Sequence, residues 1–365
     1  FAAFMTPHLP AHNMRRVGVV GDGLSGLITG LAAASSDAEV VIFGHSEPIG
    51  GLASPIHPDS AWLFDRIPLF WNRKSDLDKL LSRLKVPMPT RKVPLSKMAF
   101  VRDDKRTSLP TISGYFKRSS GTLSTEWAPL IQSARNGDLS QLEGPSKDAA
   151  SLLSILWNFN PIPNPDAVLN LGWKSPATIA IDGWVGASGR LIAACMQTDV
   201  TFEMGGSVTG FRRRKNGDVD GVRRKGRVLP VDAVVQASSR SETKLYGRYL
   251  GLSGDYLRPH VVLWDVDREV LVVDFANVAP ERVPEEYRGT ASLLHCIAFG
   301  NQETAEARIE SFLDSQCSGW RNAIIEDFTL PNLQLPTIPD VEYDNGVYYA
   351  HVGNAYSVGK RVTQS

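Results

Sequence analysis

Three glycines near the beginning of the chain have the spacing of a phosphate-binding turn. Gly21, Gly23 and Gly26 form G-x-G-x-x-G within the run VGVVGDGLSGL. Between a strand and a helix, the first glycine permits a tight turn, the second lets the backbone approach a pyrophosphate, and the third lets helix and strand pack closely. The helix N-terminus then offers free N–H groups and the positive end of its dipole. The spacing therefore predicts a dinucleotide site, with Leu24 and Ser25 at the helix start among its contacts.

The elements around these glycines are those of a βαβ unit. Residues 17–20 predict a buried strand, and residues 24–34 predict the helix that follows it. The next strand, AEVVIF, comes at the required distance. The run EPIGGLAS then adds a second glycine pair, Gly50 and Gly51, with Ser54 behind it. A glycine turn that binds no ligand is the alternative interpretation of the motif.

Composition sets bounds on the class of protein. The 365 residues suffice for one large domain or two interleaved ones. The 39 Lys and Arg balance 39 Asp and Glu, so no global field attracts nucleic acid. The three cysteines are widely spaced and form no C-x-x-C, which predicts no disulfide and a cytoplasmic location. Because the histidines do not cluster either, the sequence predicts no metal site. No apolar run approaches the roughly 18 residues that cross a bilayer. We expect residues 1–14 to be a disordered lead or vector-derived sequence.

Four stretches resemble one family of flavoproteins. Residues 17–54 resemble the N-terminus of the flavin amine oxidase and phytoene desaturase superfamily, whose pattern is G-x-G-x-x-G, a second strand ending in an acid, then R-x-G-G-x-x-S/T. Residues 62–71 resemble its segment beneath the flavin ring, residues 200–239 its β-hairpin and returning strand, and residues 346–357 its closing G-D motif. The resemblance implies a Rossmann-type NAD(P)/FAD-binding oxidoreductase with FAD as the cofactor.

The resemblance also implies which residues would contact the cofactor. They are the two glycine motifs, the end of the second strand, a hairpin residue whose backbone meets the adenine, the end of the returning strand and the closing motif. These residues are Gly21, Gly23, Leu24, Ser25, Gly26, Gly44, His45, Gly50, Gly51, Ser54, Val208, Ala237, Gly353 and Asn354. In the flavin-facing segment, Asp65, Arg66 and Trp71 are the catalytic candidates, and Asp65 could equally be a structural acid at a strand end.

The sequence departs from the family pattern at four positions. Gly44 stands where an acid would bind the adenosine ribose, and Pro48 stands where an arginine would precede the second glycine pair. Asn354 replaces the aspartate of the closing motif, and Ile67 replaces a glycine beneath the flavin. A lost neutral hydrogen bond costs about 0.5 to 1.5 kcal/mol and a charged one about 1.5 to 3 kcal/mol. We therefore expect FAD to be bound weakly or lost unless other contacts compensate.

Residues close to Gly44 offer such compensation. Ser46 or Glu47 could reach the ribose. The Gly-His-Ser sequence also resembles sites that accept a 2′-phosphate, in which case His45 would lie beside that phosphate rather than being a surface loop histidine. We expect Asp22, inside the glycine turn, to be a solvated turn residue.

Several segments predict secondary structure outside the βαβ unit. Residues 75–86 have the apolar spacing of an amphipathic helix capped by a serine, and residues 303–317 also predict a helix. Asp103 and Asp104 predict a hairpin, as does the NGD run at 216–218. The basic residues around that run indicate a solvated hairpin face rather than a nucleic-acid site. The Ser-, Gly- and charge-rich residues 111–150 predict a loop or mobile segment.

Together these features predict an α/β fold. A Rossmann-like FAD-binding domain of the glutathione-reductase type would be interleaved with a smaller α+β substrate domain. We assign residues 15–70, 188–248 and 335–365 to the FAD domain, and residues 71–187 and 249–334 to the substrate domain.

The leading functional prediction is FAD-dependent oxidation or desaturation of an apolar or amine-bearing small molecule by hydride transfer to the flavin. Two alternatives stay open. One is a non-catalytic binding or scaffold homologue that has lost FAD redox function and supports an active partner, and the other is a non-redox flavin mutase. We expect a small-molecule substrate and no nucleic acid. Peripheral membrane contact, homo-oligomerisation and a homologous partner subunit stay open.

Overall fold

Two large β-sheets organise the chain in the computed structural model, which describes residues 16–45, 48–68, 70–72, 75–109, 122–171, 177–237, 244–334 and 343–350. In chain order the strands of these ranges are β1 (Arg16–Val20), β2 (Glu39–Phe43), β3 (Trp71–Asn72), β4 (Thr90–Val93), β5 (Met98–Arg102), β6 (Lys105–Ser108), β7 (Ala177–Ala180), β8 (Val200–Glu203), β9 (Val208–Arg213), β10 (Val219–Arg224), β11 (Arg227–Pro230), β12 (Ala233–Gln236), β13 (Lys244–Leu252), β14 (Val262–Asp265), β15 (Val270–Asp274), β16 (Ser292–Ala298), β17 (Ile324–Gln334), β18 (Tyr343–Asp344) and β19 (Val347–Tyr349). The helices are α1 (Leu24–Ala34), α2 (Asp76–Arg83), α3 (Thr122–Arg135), α4 (Gly144–Asn158), α5 (Pro165–Leu169), α6 (Gly183–Met196) and α7 (Ala305–Gln316).

The six-stranded sheet is the Rossmann-like half of the fold. Its order is β18-β19-β12-β1-β2-β8, and β1 lies between β2 and β12, parallel to both. The central strands are runs of buried valine and isoleucine, as expected of a parallel sheet covered on both faces. Helix α1 connects β1 to β2 and packs its leucines against α6. Strands from the beginning, middle and end of the described chain therefore meet in one sheet. The domain boundaries proposed from the sequence stay a prediction.

The seven-stranded sheet has the order β17-β13-β16-β15-β14-β5-β6 and is antiparallel except where β5 pairs with β14. Helix α7 covers one face with its four buried residues, Ala305, Ile309, Phe312 and Leu313. The opposite face packs against α3, α4 and α5 in the largest apolar core. Side chains alternate between the two cores along each strand, because successive residues of a strand point to opposite faces.

The prediction of a loop or mobile segment over residues 111–150 is wrong for residues 122–135 and 144–150. Helices α3 and α4 lie there, and α4 continues to Asn158. Helix α3 buries Leu130, Ile131 and Ala134 on one side, which is the helical spacing. Serine, glycine and charged residues are frequent over residues 111–150, so composition misled where periodicity would not have.

The other local predictions are confirmed. Ser75 caps α2 by accepting a hydrogen bond from the Asp78 N–H at 3.4 Å. Asp103 and Asp104 have φ values of 48° and 59° in the hairpin between β5 and β6. The run at 216–218 turns β9 into β10, and Arg212, Arg213 and Arg214 before it are exposed, whereas Arg224 on β10 is buried. No helix among the described residues has the length and apolar content to span a membrane. Residues 1–14 lie outside the described part of the chain.

Candidate dinucleotide-binding site

The three glycines of the turn after β1 are required for three different reasons. Gly21 has a φ of 119°, a left-handed conformation that other residues rarely adopt, and its N–H donates to the Phe43 carbonyl at 2.9 Å. A Cβ at Gly26 would overlap the Gly21 carbonyl, so this position must be glycine for α1 to pack on β1. Gly23 has neither constraint, because its φ of −75° and ψ of −177° suit any residue.

The space in front of Gly23 is open. Among the described residues, the nearest atom to a Cβ built at Gly23 is the Gly50 carbonyl oxygen at 3.8 Å, an ordinary contact distance. Gly23 is also the N-cap of α1, and no side chain caps this helix. Backbone N–H groups at the start of a helix need partners, and an anion is the partner that the helix dipole favours. Nothing in the described part of the chain therefore excludes a Cβ at Gly23.

The second glycine pair lies directly against the first turn. The Gly50 N–H donates to the Asp22 carbonyl at 3.0 Å, and Gly23 and Gly50 pair as an isolated parallel bridge. A Cβ at Gly51 would lie 3.1 Å from the Gly23 Cα, closer than most real contacts. The Ser54 hydroxyl donates to the Gly51 carbonyl at 2.7 Å and so holds this turn. The structure thus brings the two glycine motifs together, as the sequence predicts.

Leu24, Ser25, Ala237 and Val208 surround this turn. Leu24 is buried in the core, and Ser25 is half-buried, so Leu24 can meet a ligand only through its backbone. The Ala237 N–H donates to the Val20 carbonyl at 2.7 Å, which places the end of β12 beside the glycine turn. Val208 begins β9 and packs against the cluster that covers β2. Gly353 and Asn354 lie outside the described residues.

The end of β2 is covered by the chain that follows β8. A Cβ at Gly44 would overlap the thioether of Met204 and would lie 3.0 Å from the Asp22 Cγ. His45 is exposed, its Nδ1 lies 2.9 Å from the Ser207 Oγ, and its carbonyl accepts from the Gly206 N–H at 3.0 Å. His45 is therefore tied to the loop before β9, and its proximity to a 2′-phosphate stays a prediction. Ser46 and Glu47 lie outside the described residues.

Asp22 differs from its predicted state. Its side chain is half-buried beside Gly44, so the expectation of a solvated turn residue is wrong. Burial raises the pKa of the Asp22 carboxyl above its usual range, although the N–H groups of Asp22 and Gly50 and the charge of His45 act to lower it. The sequence hides this burial, because Met204 and the second glycine turn, which surround Asp22, are distant in the chain.

Arg224 is a further residue of this region that the sequence analysis did not single out. It lies within the basic hairpin but is buried, and it pairs with Glu203 at 3.0 Å and donates to the Gly44 carbonyl at 3.4 Å. By contrast, Arg212 is exposed and pairs with Asp220 on the solvent side of the hairpin. The burial of Arg224 could have been predicted from the alternation of side chains along β10, because Arg224 lies on the same face of the strand as the buried Val222.

Asp65 is held in a buried ion pair. Its carboxylate accepts from Arg282 Nη1 at 2.7 Å and from the Trp184 N–H at 2.7 Å, and both charged side chains are 1% exposed. Arg282 also donates to the carbonyls of Ala180 and Ile181, at 2.5 and 3.2 Å. This network joins the segment before β3 to β7 and α6, and it favours the structural interpretation of Asp65 over the catalytic one.

The other two catalytic candidates, Arg66 and Trp71, also form contacts within the fold. Arg66 donates to the carbonyls of Ser54 and Pro55, each at 3.3 Å, and its own carbonyl accepts from the Tyr249 hydroxyl at 2.5 Å. Arg66 therefore holds the chain just after the second glycine pair. Trp71 pairs in β3 with β7, and its catalytic role stays a prediction.

Two of the family departures are accommodated without blocking the turn. Ile67 is 1% exposed and packs in the largest core, so its side chain points away from the surface that a ligand could reach. Pro48 is exposed at the start of the loop that carries Gly50. Neither side chain contributes a charge, so the described part of this site would bind phosphates chiefly through backbone N–H groups and the start of α1.

A parallel sheet, a crossover helix and a glycine turn at its N-terminus are the elements of a Rossmann-like fold. Solved structures with this fold include an oxidoreductase from Methanosarcina mazei, 15% identical, with a TM-score of 0.71 over 92% of this chain and 94% of that one. Wild-type putrescine oxidase bound to putrescine is 14% identical, with a TM-score of 0.64 over 96% of this chain and 98% of that one. A RAB GDI from Plasmodium falciparum is 12% identical, with a TM-score of 0.58 over 93% of each chain.

These likenesses concern the fold. No family model matches the sequence, and neither does any curated protein. The predicted fold class, a Rossmann-like domain combined with a substrate domain, is confirmed, and the resemblance to the flavin amine oxidase superfamily is confirmed as a resemblance in fold.

The two interpretations of Asp65 differ in their effect on stability. We expect Asp65→Asn to lower the free energy of unfolding by about 3 kcal/mol or more, because the Arg282 charge would remain buried without its counterion. The double variant Asp65→Asn/Arg282→Met should regain part of that loss. Urea unfolding followed by circular dichroism measures both changes, and wild-type stability of the single variant would contradict the structural role.

Proposed function

We propose that this chain binds FAD at the glycine turn and acts as an FAD-dependent oxidoreductase on an apolar or amine-bearing small molecule. The observation that carries the proposal is Gly23, a glycine with ordinary backbone angles and open space where its side chain would be. Its neighbours Gly50 and Gly51 line the same space with backbone. A dinucleotide pyrophosphate needs such a backbone approach at the N-terminus of a helix.

The residues present fit the cofactor at its phosphates. Gly23, Gly50 and the first N–H groups of α1 would hold the pyrophosphate, while Val208 and Ala237 flank the adenine side and the turn. When bound, FAD would take two electrons and a proton from a substrate C–H bond as a hydride, and oxygen or another acceptor would then take the electrons. The protein groups described here bind and orient the cofactor and cover it from water.

The oxidoreductase assignment is supported by the neighbours named as an oxidoreductase and a putrescine oxidase. Putrescine is an amine, which agrees with the substrate class that we propose for this chain. Fold alone does not decide function, and the RAB GDI with the same fold illustrates this. The chemistry must therefore be tested on this chain.

Two observations favour the scaffold alternative. The acid of the flavin-facing segment, Asp65, is consumed by a structural ion pair, and the end of β2 presents Gly44 under Met204 instead of an acid. A homologue that had lost redox function would tolerate both features. No specific feature favours the flavin mutase.

We also propose which kinds of partner this protein binds and where in the cell it is located. A small-molecule substrate follows from the oxidoreductase assignment, and we assign no role in nucleic-acid binding. Contact with a membrane surface, self-association and a homologous partner subunit remain open proposals. The cytoplasmic location is supported by Cys195, Cys296 and Cys317, which are all free thiols.

The glycines of the turn allow a direct test of FAD binding. We expect Gly23→Val to lose FAD and to lose no more than about 1 kcal/mol of stability, because its Cβ meets no described atom closer than 3.8 Å, although valine is a poorer N-cap than glycine. Gly26→Ala should instead lose about 1 to 3 kcal/mol of stability even without FAD, because its Cβ overlaps backbone. Urea unfolding and equilibrium dialysis against FAD measure the two effects.

The matched control is Gly189→Ala on α6. Among the described residues, no atom lies within 4 Å of a Cβ built there, so this change should raise stability by about 0.5 to 1 kcal/mol and leave FAD affinity unchanged. Unaltered FAD binding by Gly23→Val would sink the assignment of the site.

Redox function is tested separately from binding. The FAD-bound protein is mixed without oxygen with a panel of amines and of apolar ring compounds, saturated and unsaturated. We expect one of these compounds to bleach the absorption of the oxidised flavin. Readmission of oxygen or an artificial acceptor should restore the absorption. A protein that binds FAD tightly but is bleached by no substrate, although dithionite bleaches it, would support the scaffold alternative.

A further inference from the structure

We propose that Asp22 supplies the carboxylate that holds the adenosine ribose of FAD, in place of the acid that position 44 lacks. This inference rests on the proposed FAD-binding function and adds a residue to that site. It concerns the second residue of the glycine motif, whose side chain the motif itself leaves unspecified.

The position of the Asp22 carboxyl carries the proposal. Its Cγ lies 3.0 Å from the point where a side chain at Gly44 would begin. Two carbon–carbon bonds separate the Cβ of a glutamate from its carboxyl carbon, a span of about 2.5 Å. The carboxyl group of Asp22 thus lies about as far from that point as the carboxyl group of a glutamate at position 44 would. A carboxylate is present at the end of β2, although it comes from the neighbouring strand-to-helix turn.

Gly44 makes this arrangement sterically feasible. Any Cβ at this position would overlap Met204, whose thioether covers the strand end. Arg224 further ties the Gly44 carbonyl to the hairpin at 3.4 Å. Asp22 and Met204 can therefore lie this close to position 44 only because glycine has no side chain there. An acid at both positions would place two like charges within a few ångströms of each other, which is unfavourable.

The Asp22 carboxylate retains capacity for a ligand. A carboxylate offers about four lone-pair sites, which is more than the nearby N–H groups of Asp22 and Gly50 could occupy, and the Gly50 N–H also donates to the Asp22 carbonyl at 3.0 Å. Among the described residues Asp22 forms no ion pair with Lys or Arg. The backbone around the carboxylate is fixed by the hydrogen bond from the Gly50 N–H to the Asp22 carbonyl. Two ribose hydroxyls could donate to the remaining sites.

The test compares the affinities of the purified full chain for FAD, ADP and 2′,3′-dideoxy-ADP by titration calorimetry. For Asp22→Asn we expect FAD and ADP to bind about 10- to 100-fold more weakly, because a hydrogen bond to a charged acceptor is lost. Wild-type protein should prefer ADP to dideoxy-ADP, and Asp22→Asn should lose most of that preference. A general loss of structure would weaken both nucleotides equally and would leave the preference intact.

The control for charge is Asp37→Asn. Asp37 is exposed beyond the opposite end of α1, and its φ of 65° suits asparagine, so this variant should match the wild type. The triple variant Asp22→Asn/Gly44→Glu/Met204→Ala should regain FAD affinity and the ribose preference, since it moves the acid to position 44 and removes the overlapping side chain. Gly44→Glu alone should not tighten FAD binding.

The outcomes separate this inference from the function on which it rests. If wild-type protein binds neither FAD nor ADP, the proposed function fails, and the role of Asp22 fails with it. If the wild type binds both but Asp22→Asn keeps its affinity and its ribose preference, FAD binding stands and the role of Asp22 is overturned.

Discussion

The close backbone contact between the two glycine turns is the constraint on which the rest of the candidate site depends. Gly50 donates to the Asp22 carbonyl and pairs with Gly23, while Gly51 lies too close to the Gly23 Cα for a side chain to fit freely. The open space at the start of α1 is therefore bounded by backbone. Backbone N–H groups can bind a phosphate without arginine or lysine, which explains how the site tolerates Pro48 in place of an arginine.

Buried polar contacts hold this arrangement between the two sheets. The Asp65–Arg282 pair links the segment after the second glycine turn to the start of α6, and Arg66 ties the same segment to Ser54 and to Tyr249 of the seven-stranded sheet. These charged side chains are committed to architecture. If FAD binds as proposed, the redox chemistry would fall to the cofactor, because these side chains are already held by structural contacts.

Local patterns predicted most of the fold, and long-range contacts account for what they missed. The turn at Gly21, the cap at Ser75 and the apolar face of α7 are readable because each depends on residues within a few positions. Helix α3 was missed because the prediction rested on the composition of residues 111–150 and not on the spacing of Leu130, Ile131 and Ala134. The burial of Asp22 could not be predicted, since Met204 reaches it only after the chain has crossed the sheet.

The most direct test of the central claim is a crystal structure of the wild-type chain grown with FAD. The account predicts density for the pyrophosphate against the N–H groups of Gly23 and the first turn of α1, with Gly50 and Gly51 on the opposite side. Hydrogen-bonding distances of about 2.7 to 3.2 Å to those backbone nitrogens would support it. FAD bound elsewhere, or an empty turn in crystals grown at saturating FAD, would contradict it.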